Sequence, residues 1–208
     1  MAADSTRQSL AEDLNVWMAR SDMTPRASSF IGLAEEEIDR ALRLPQQVKT
    51  VDVVVDDGEF GLPDDFLELI ELSDSRGPLE PDEQGIPGFA VEGDKLIFGE
   101  GYEGVPLTMR YYERFGRLVN ATDTNWLLQN HYSIYLFYTL ASCADAIADD
   151  RRQAHFMNRA TEGVMSLRKA DARAGLAERQ RPPAPGSGGR NAVPIDTSNL
   201  PTGRRDRA

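Results

Sequence analysis

The sequence predicts a mainly α fold: a bundle of about four helices with a small antiparallel β insert and a disordered or extended C-terminal tail. Three observations predict it. Before Pro45 and after Asp123, apolar residues recur every three or four positions, the helical period. Between those stretches, short alternating runs are punctuated by Gly, Pro and Asp, the pattern of strands and turns. From Arg181 the chain reads Pro182-Pro183-Ala184-Pro185-Gly186-Ser187-Gly188-Gly189, which cannot build a core. The expected organisation is a body over 1–180, with the insert at about 48–112, and a flexible basic tail over 181–208.

The first helix is expected over Ser9 to Ala19, with Leu10, Leu14 and Trp17 on one face. A second starts near Thr24-Pro25, a capping residue followed by a residue suited to the first turn. Its inner face is Phe30, Ile31, Ala34, Ile38, Ala41 and Leu42, and Glu35, Glu36, Asp39 and Arg40 fill the other; Pro45 ends it. Val48 to Val55 alternates as a strand, and after the Asp56-Asp57-Gly58 turn the alternation resumes at Phe60 and Leu62. Pro63-Asp64-Asp65 makes a tight turn that throws Phe66 and Leu67 inward. Leu69 to Leu72 is a short apolar stretch, and 73–88 reads as loop. Phe89 to Val91, Lys95 to Phe98 and Leu107 to Tyr112 read as strands, the first two joined by a Glu92-Gly93-Asp94 hairpin. Asp123 and Thr124 are expected to cap a third helix over 125–148. It is apolar around most of its girth, so it is buried on several sides, either as the central core helix or shared with another subunit. A fourth helix runs from about Arg151 to Ala177, with Met157, Ala160, Val164 and Leu167 inward.

At 208 residues the chain is expected to form one domain plus an appendage. Its formal net charge of -11 is unevenly spread. Six arginines and two aspartates between Arg179 and Ala208 give a net of +4, which leaves -15 for the rest. An acidic body argues against a general nucleic-acid grip, since phosphate contacts need Lys and Arg. The same charge repels phosphate and would let a duplex slide past. Cys143 is the only cysteine, which excludes an internal disulfide and a multi-Cys metal site and fits a reducing compartment. Met1-Ala2-Ala3-Asp4-Ser5 has no charged-then-apolar leader, so no secretion signal is expected. No apolar run approaches the roughly 18 residues of a membrane span.

Catalytic, cofactor and metal sites are not expected. Gly99-Glu100-Gly101-Tyr102-Glu103-Gly104 matches G-x-G-x-x-G, but a strand follows it where a dinucleotide site needs a helix, so it reads as a hairpin loop. His131 and Cys143 do not share a helical face, and His131 reads as a residue at a core edge. Asp145, Asp149 and Asp150 cluster at a helix end, where capping and solvated charge explain them; they are the only foothold for an enzyme whose site assembles between subunits. Val193, Ile195 and Leu200 are the sizeable apolar residues of the last 28, and Arg204, Arg205 and Arg207 form a basic run. These six are the candidate partner-binding residues, because so much loose backbone orders only against a surface that supplies compensating contacts.

Several fragments, in order, resemble the phage adaptor proteins, the head-to-tail connector subunits of tailed bacteriophages. They are Phe30-Ile31-x-Leu33-Ala34-Glu35-Glu36-Glu37-Ile38, Leu62-Pro63-x-Asp65-Phe66-Leu67-Glu68, Pro78-Leu79-Glu80, Val91-Glu92-Gly93-Asp94-Lys95-Leu96, Leu107-Thr108-Met109-Arg110-Tyr111-Tyr112, and Asn125-Trp126-Leu127-Leu128 with Tyr135-Leu136. The resemblance spans about 24–170 and leaves out the tail.

It implies a helical bundle with a small β insert, no catalytic residues and no cofactor. It also implies a twelve-subunit ring under the portal vertex, in the neck of a virion assembled in the host cytoplasm. The implied partners are other copies of the chain, the portal protein, tail proteins and double-stranded DNA passing without specific binding; no membrane is involved. The 181–208 tail would dock on the portal or on a neighbouring subunit. The rival reading is a small cytosolic helical scaffold or regulator with no virion role.

Overall fold

A computed structural model of the protein describes residues 5–20, 22–81 and 88–179, with side chains described to residue 174. The element order is α1 (Arg7–Met18), α2 (Ala27–Ala41), β1 (Val48–Val54), β2 (Glu59–Gly61), β3 (Phe66–Asp74), β4 (Gly77–Pro78), β5 (Phe89–Glu92), β6 (Lys95–Phe98), β7 (Pro106–Glu113), α3 (Trp126–Asn130), α4 (Tyr132–Ala146) and α5 (Asp150–Arg179).

The expected mainly α bundle is wrong in proportion. The described residues are about 48% helical and 24% strand, and the strands form two antiparallel sheets. One sheet has the order β1-β7-β3-β4 and the other β2-β6-β5. Their inner faces meet in a core of their own, with Val53, Leu72, Leu107, Met109 and Tyr111 from the first sheet and Phe89, Leu96 and Phe98 from the second. This is a β module with its own packing, joined to a helical layer. The reason lies in β3, where Phe66–Asp74 is one nine-residue strand paired with β7. Register shifts between Phe66 and Glu68 and between Leu69 and Glu71 break the period-two alternation, so the strand reads as a turn, a short apolar run and the start of a loop. The hairpin to β4 extends the pairing into the expected 73–88 loop, of which 82–87 lie outside the described residues. The β5–β6 hairpin forms as expected, with Gly93 at φ 62° in a turn that needs a left-handed residue.

The helical layer is built around α4. Every residue from Ile134 to Ala141 is buried, as are Cys143 and Ala144, and α1, α2 and α5 cover them within this one chain. Thr6 and Ser9 form a reciprocal capping box at the start of α1. The next free amides of that helix donate to the 120s segment, from Arg7 N to Asp123 O at 2.9 Å and from Gln8 N to Ala121 O at 2.9 Å. The buried face of α1 is Leu10, Leu14 and Met18 rather than Trp17. At about 100° per residue, Trp17 lies about 60° from Leu14, the middle of that face. It is 48% exposed and covers Phe137 and Phe156 edge-on.

Three further expectations change. Thr24–Arg26 is a 3₁₀ turn, and Thr24 does not cap α2. The 125–148 helix is broken at His131, whose φ −139° and ψ 48° separate α3 from α4. Asn125, not Asp123 or Thr124, caps α3 by accepting from Leu128 N at 2.9 Å. Asp123 instead accepts from Val119 N and Asn120 N, closing its own turn. Along α5 the buried positions are Phe156, Ala160, Val164 and Leu167, close to the expected face.

At Gly163 α5 has no room to spare, since an added Cβ would sit 3.0 Å from Ile134 Cγ1, on a buried, stiff β-branched chain. Gly163→Leu is expected to lower stability by about 2 kcal/mol through overpacking, despite the better helix propensity of leucine, as read by urea titration.

Candidate assembly joint and surfaces

The most constructed polar feature is the neck where the helical layer meets the β module. The chain passes into the module through 42–48 and returns through 113–118. Along α2 and the turn after it, Glu35, Asp39, Arg43 and Gln47 recur every fourth residue, so they follow one side of the path toward the β module. Each grips the neck.

Glu35 is 6% exposed and Asp39 8%. Glu35 accepts from Leu118 N at 2.8 Å and pairs with Arg117 Nη1 at 3.4 Å. Asp39 pairs with Arg117 Nη2 at 2.9 Å, with Arg114 Nε 3.9 Å away. One guanidinium thus bridges two acids one turn apart and ties the returning strand to α2. Burial pushes both carboxyls above their ordinary range, against the opposing pull of Arg117 and, for Glu35, of the Leu118 amide.

Arg43 donates to Asp39 O and Leu42 O, each at 2.6 Å, satisfying carbonyls at the end of α2, and its Nε meets Glu68 Oε2 on β3 at 2.5 Å. Gln47, fully buried, accepts from Leu44 N at 3.0 Å and donates to Glu113 O at 3.1 Å, joining both strands of the neck. Beside it, Lys49 pairs with Asp65 at 2.5 Å and Glu113 at 3.3 Å, and Tyr111 donates to Asp65 at 2.8 Å.

Sequence reasoning placed Glu35 and Asp39 on the solvent face. A signal was present, because Glu35 lies about 40° from Ile31 and about 20° from Leu42, at the edge of the apolar arc. No such signal marks Gln47 or Arg117, whose partners are far away in sequence.

The structure does not bring the other candidates together. Cys143 is fully buried among apolar neighbours, as expected, and burial raises its thiol pKa. His131 sits against the Trp126 ring with centroids 5.4 Å apart. Asp149 accepts from Arg152 N at 3.0 Å at the head of α5, a capping role. Gly99–Gly104 joins β6 to β7 as the expected loop, and its Tyr102 is buried in the β core, its ring tilted 45° to that of Phe98 with centroids 5.7 Å apart. Val193, Ile195, Leu200, Arg204, Arg205 and Arg207 lie outside the described residues.

Two outer surfaces combine exposed apolar groups with charge. On one side Leu33, 49% exposed, lies in a groove of about 270 Å³ floored by Ala141 and Met157 and rimmed by Glu36, Glu37 and Asp145. On the other, Met165 is 56% exposed on the outer face of α5.

Comparison with known protein families agrees with the resemblance to phage adaptor proteins. The SU10 adaptor protein family profile matches residues 5–185. The chain belongs to this family of phage adaptor proteins, and its general role is that of a phage structural adaptor. No curated protein matches its sequence. Among the described residues, no helix is long and apolar enough to cross a membrane.

Proposed function

We propose that the protein is the virion adaptor between head and tail, assembling as a ring of about twelve copies beneath the portal and extending the DNA channel toward the tail. The observation that carries this reading is the family match over residues 5–185. It works by binding and shape, with no catalytic residue and no cofactor. The net charge of -11 supports a channel wall that repels phosphate, so that double-stranded DNA passes without adhering.

In this reading the β module, held at a set angle by the neck, offers the tail-side surface. The basic residues after Arg181, with Val193, Ile195 and Leu200, reach the portal or the next subunit. A coil of 28 residues spans about 30 Å, and the same residues fully extended about 90 Å, which is enough for either.

Deleting 181–208 is expected to leave the melting temperature of the body unchanged and to reduce binding to portal-bearing particles at least tenfold. Full binding by the truncated chain would remove the tail from the reading. Imaged necks that lack the protein would remove the reading itself.

A further inference from the structure

We propose that the subunits of the assembly meet through two specific helix faces: the acidic groove around Leu33 on one copy receives the basic outer face of α5 around Met165 on the next. The inference rests on the ring reading and adds the contact that would build it.

The groove lies between α2, α4 and α5, with Leu33, Ala141 and Met157 as its apolar part. Glu36, Glu37 and Asp145 stand around it against one cation, Arg40, for a net of -2. Arg40 already pairs with Glu36 and Glu37, but Asp145 has no such partner among the described residues. The second face is the side of α5 turned away from its buried stripe. Arg151, Met165, Lys169 and Arg173 recur there at helical spacing, every one of them exposed. Among the described residues Glu162 is the one acid on that side, which leaves those positions a net of +2 along the length of the helix.

Each surface therefore presents one large exposed apolar side chain beside an excess of charge, acidic around Leu33 and basic along the outer side of α5, and the two signs are opposite. A single exposed apolar residue is ordinary on a protein surface; what suits these two surfaces to one another is the opposite sign of the charge beside each. Two different, complementary patches on one chain define a head-to-tail contact, the only kind that closes into a ring of many copies. An isologous pair would set like charge against like at either patch. The occupant of the groove is thus a second copy of this chain.

The test uses the full-length protein carrying Leu33→Cys and Met165→Cys together, with a short bismaleimide, alone and on portal vertices. Native Cys143 is fully buried and does not compete. The expected result is a ladder beyond the dimer, absent from each single-cysteine chain. Adding Glu36→Lys and Glu37→Lys should abolish the ladder, and adding Lys169→Glu and Arg173→Glu to that chain should restore it. A ladder that stops at dimer overturns the proposal, since isologous pairing ends there. Ring-sized particles that do not cross-link, or that ignore the charge swaps, overturn this contact and leave the ring standing. A chain that stays monomeric even on portal vertices overturns both.

Discussion

Replacing Arg117 with methionine is expected to lower stability by about 2 kcal/mol at pH 7 and by progressively less as the pH falls toward the ordinary carboxylate range. Methionine keeps much of the apolar stem while removing the one cation shared by Glu35 and Asp39. Taking a single partner from a fully buried ion pair costs about 3–5 kcal/mol, because the remaining charge is stranded. Arg117 is 39% exposed on its side chain, so water screens the pair and the lower figure applies. For a folded body of this size that is a drop of roughly 4–8 °C in Tm.

The pH dependence follows from the direction of the shifts. Both carboxyls have folded pKa values above their unfolded ones, so the native state holds these protons more tightly. Their contribution therefore declines as pH rises from the unfolded to the folded pKa. Without Arg117 the folded values rise further and that interval widens. The gap between variant and parent should grow with pH across it and shrink once both groups are protonated. Thermal melts of the two proteins from pH 4 to 8 read this directly. A gap that stays constant with pH would mean that Arg117 acts through packing alone.

Legibility of the fold from sequence tracked how local each signal was. α2, α5 and the β5–β6 hairpin were visible because period, cap or turn residues sit within a few positions of one another. β3 was not, because its two register shifts carry the side chains from one face to the other, and the alternation that identifies a strand is lost. With β3 unread, β7 had no central partner, and a module with its own core shrank to an insert. Trp17 was misplaced because a large aromatic ring can serve as a partly exposed cover as readily as a core residue. The family motifs were readable as an ordered series, and they span most of what the family profile matches. The neck was largely hidden. Glu35 had a positional clue, but what justifies its burial is an arginine 82 residues later, and a helical wheel carries no such partner.

Replacing Gln47 with leucine is expected to cost about 3 kcal/mol, and equally from pH 5 to 8. The two side chains are close in volume, so packing changes little. What is lost is a buried acceptor for Leu44 N and a donor to the partly buried Glu113 O, and Gln47 itself is fully buried, so water does not reach the Leu44 amide from its side. Each stranded backbone group costs roughly 1–3 kcal/mol. Gln47→Glu separates the two halves, because it keeps an acceptor for Leu44 N but has no donor for Glu113 O and adds a buried charge. Its penalty should exceed that of leucine at pH 7 and fall on acidification, when the protonated carboxyl regains a donor. The loss should be concentrated at the base of β1 and β7, read as faster amide exchange there than in α4. The apolar clusters of the helical layer and the β module are separate, so polar groups set the angle between them. Apolar contact tolerates sliding, whereas a donor and acceptor fixed at both strands of a neck do not. Uniformly faster exchange in both modules of the leucine variant would show that Gln47 supports the whole fold rather than this angle.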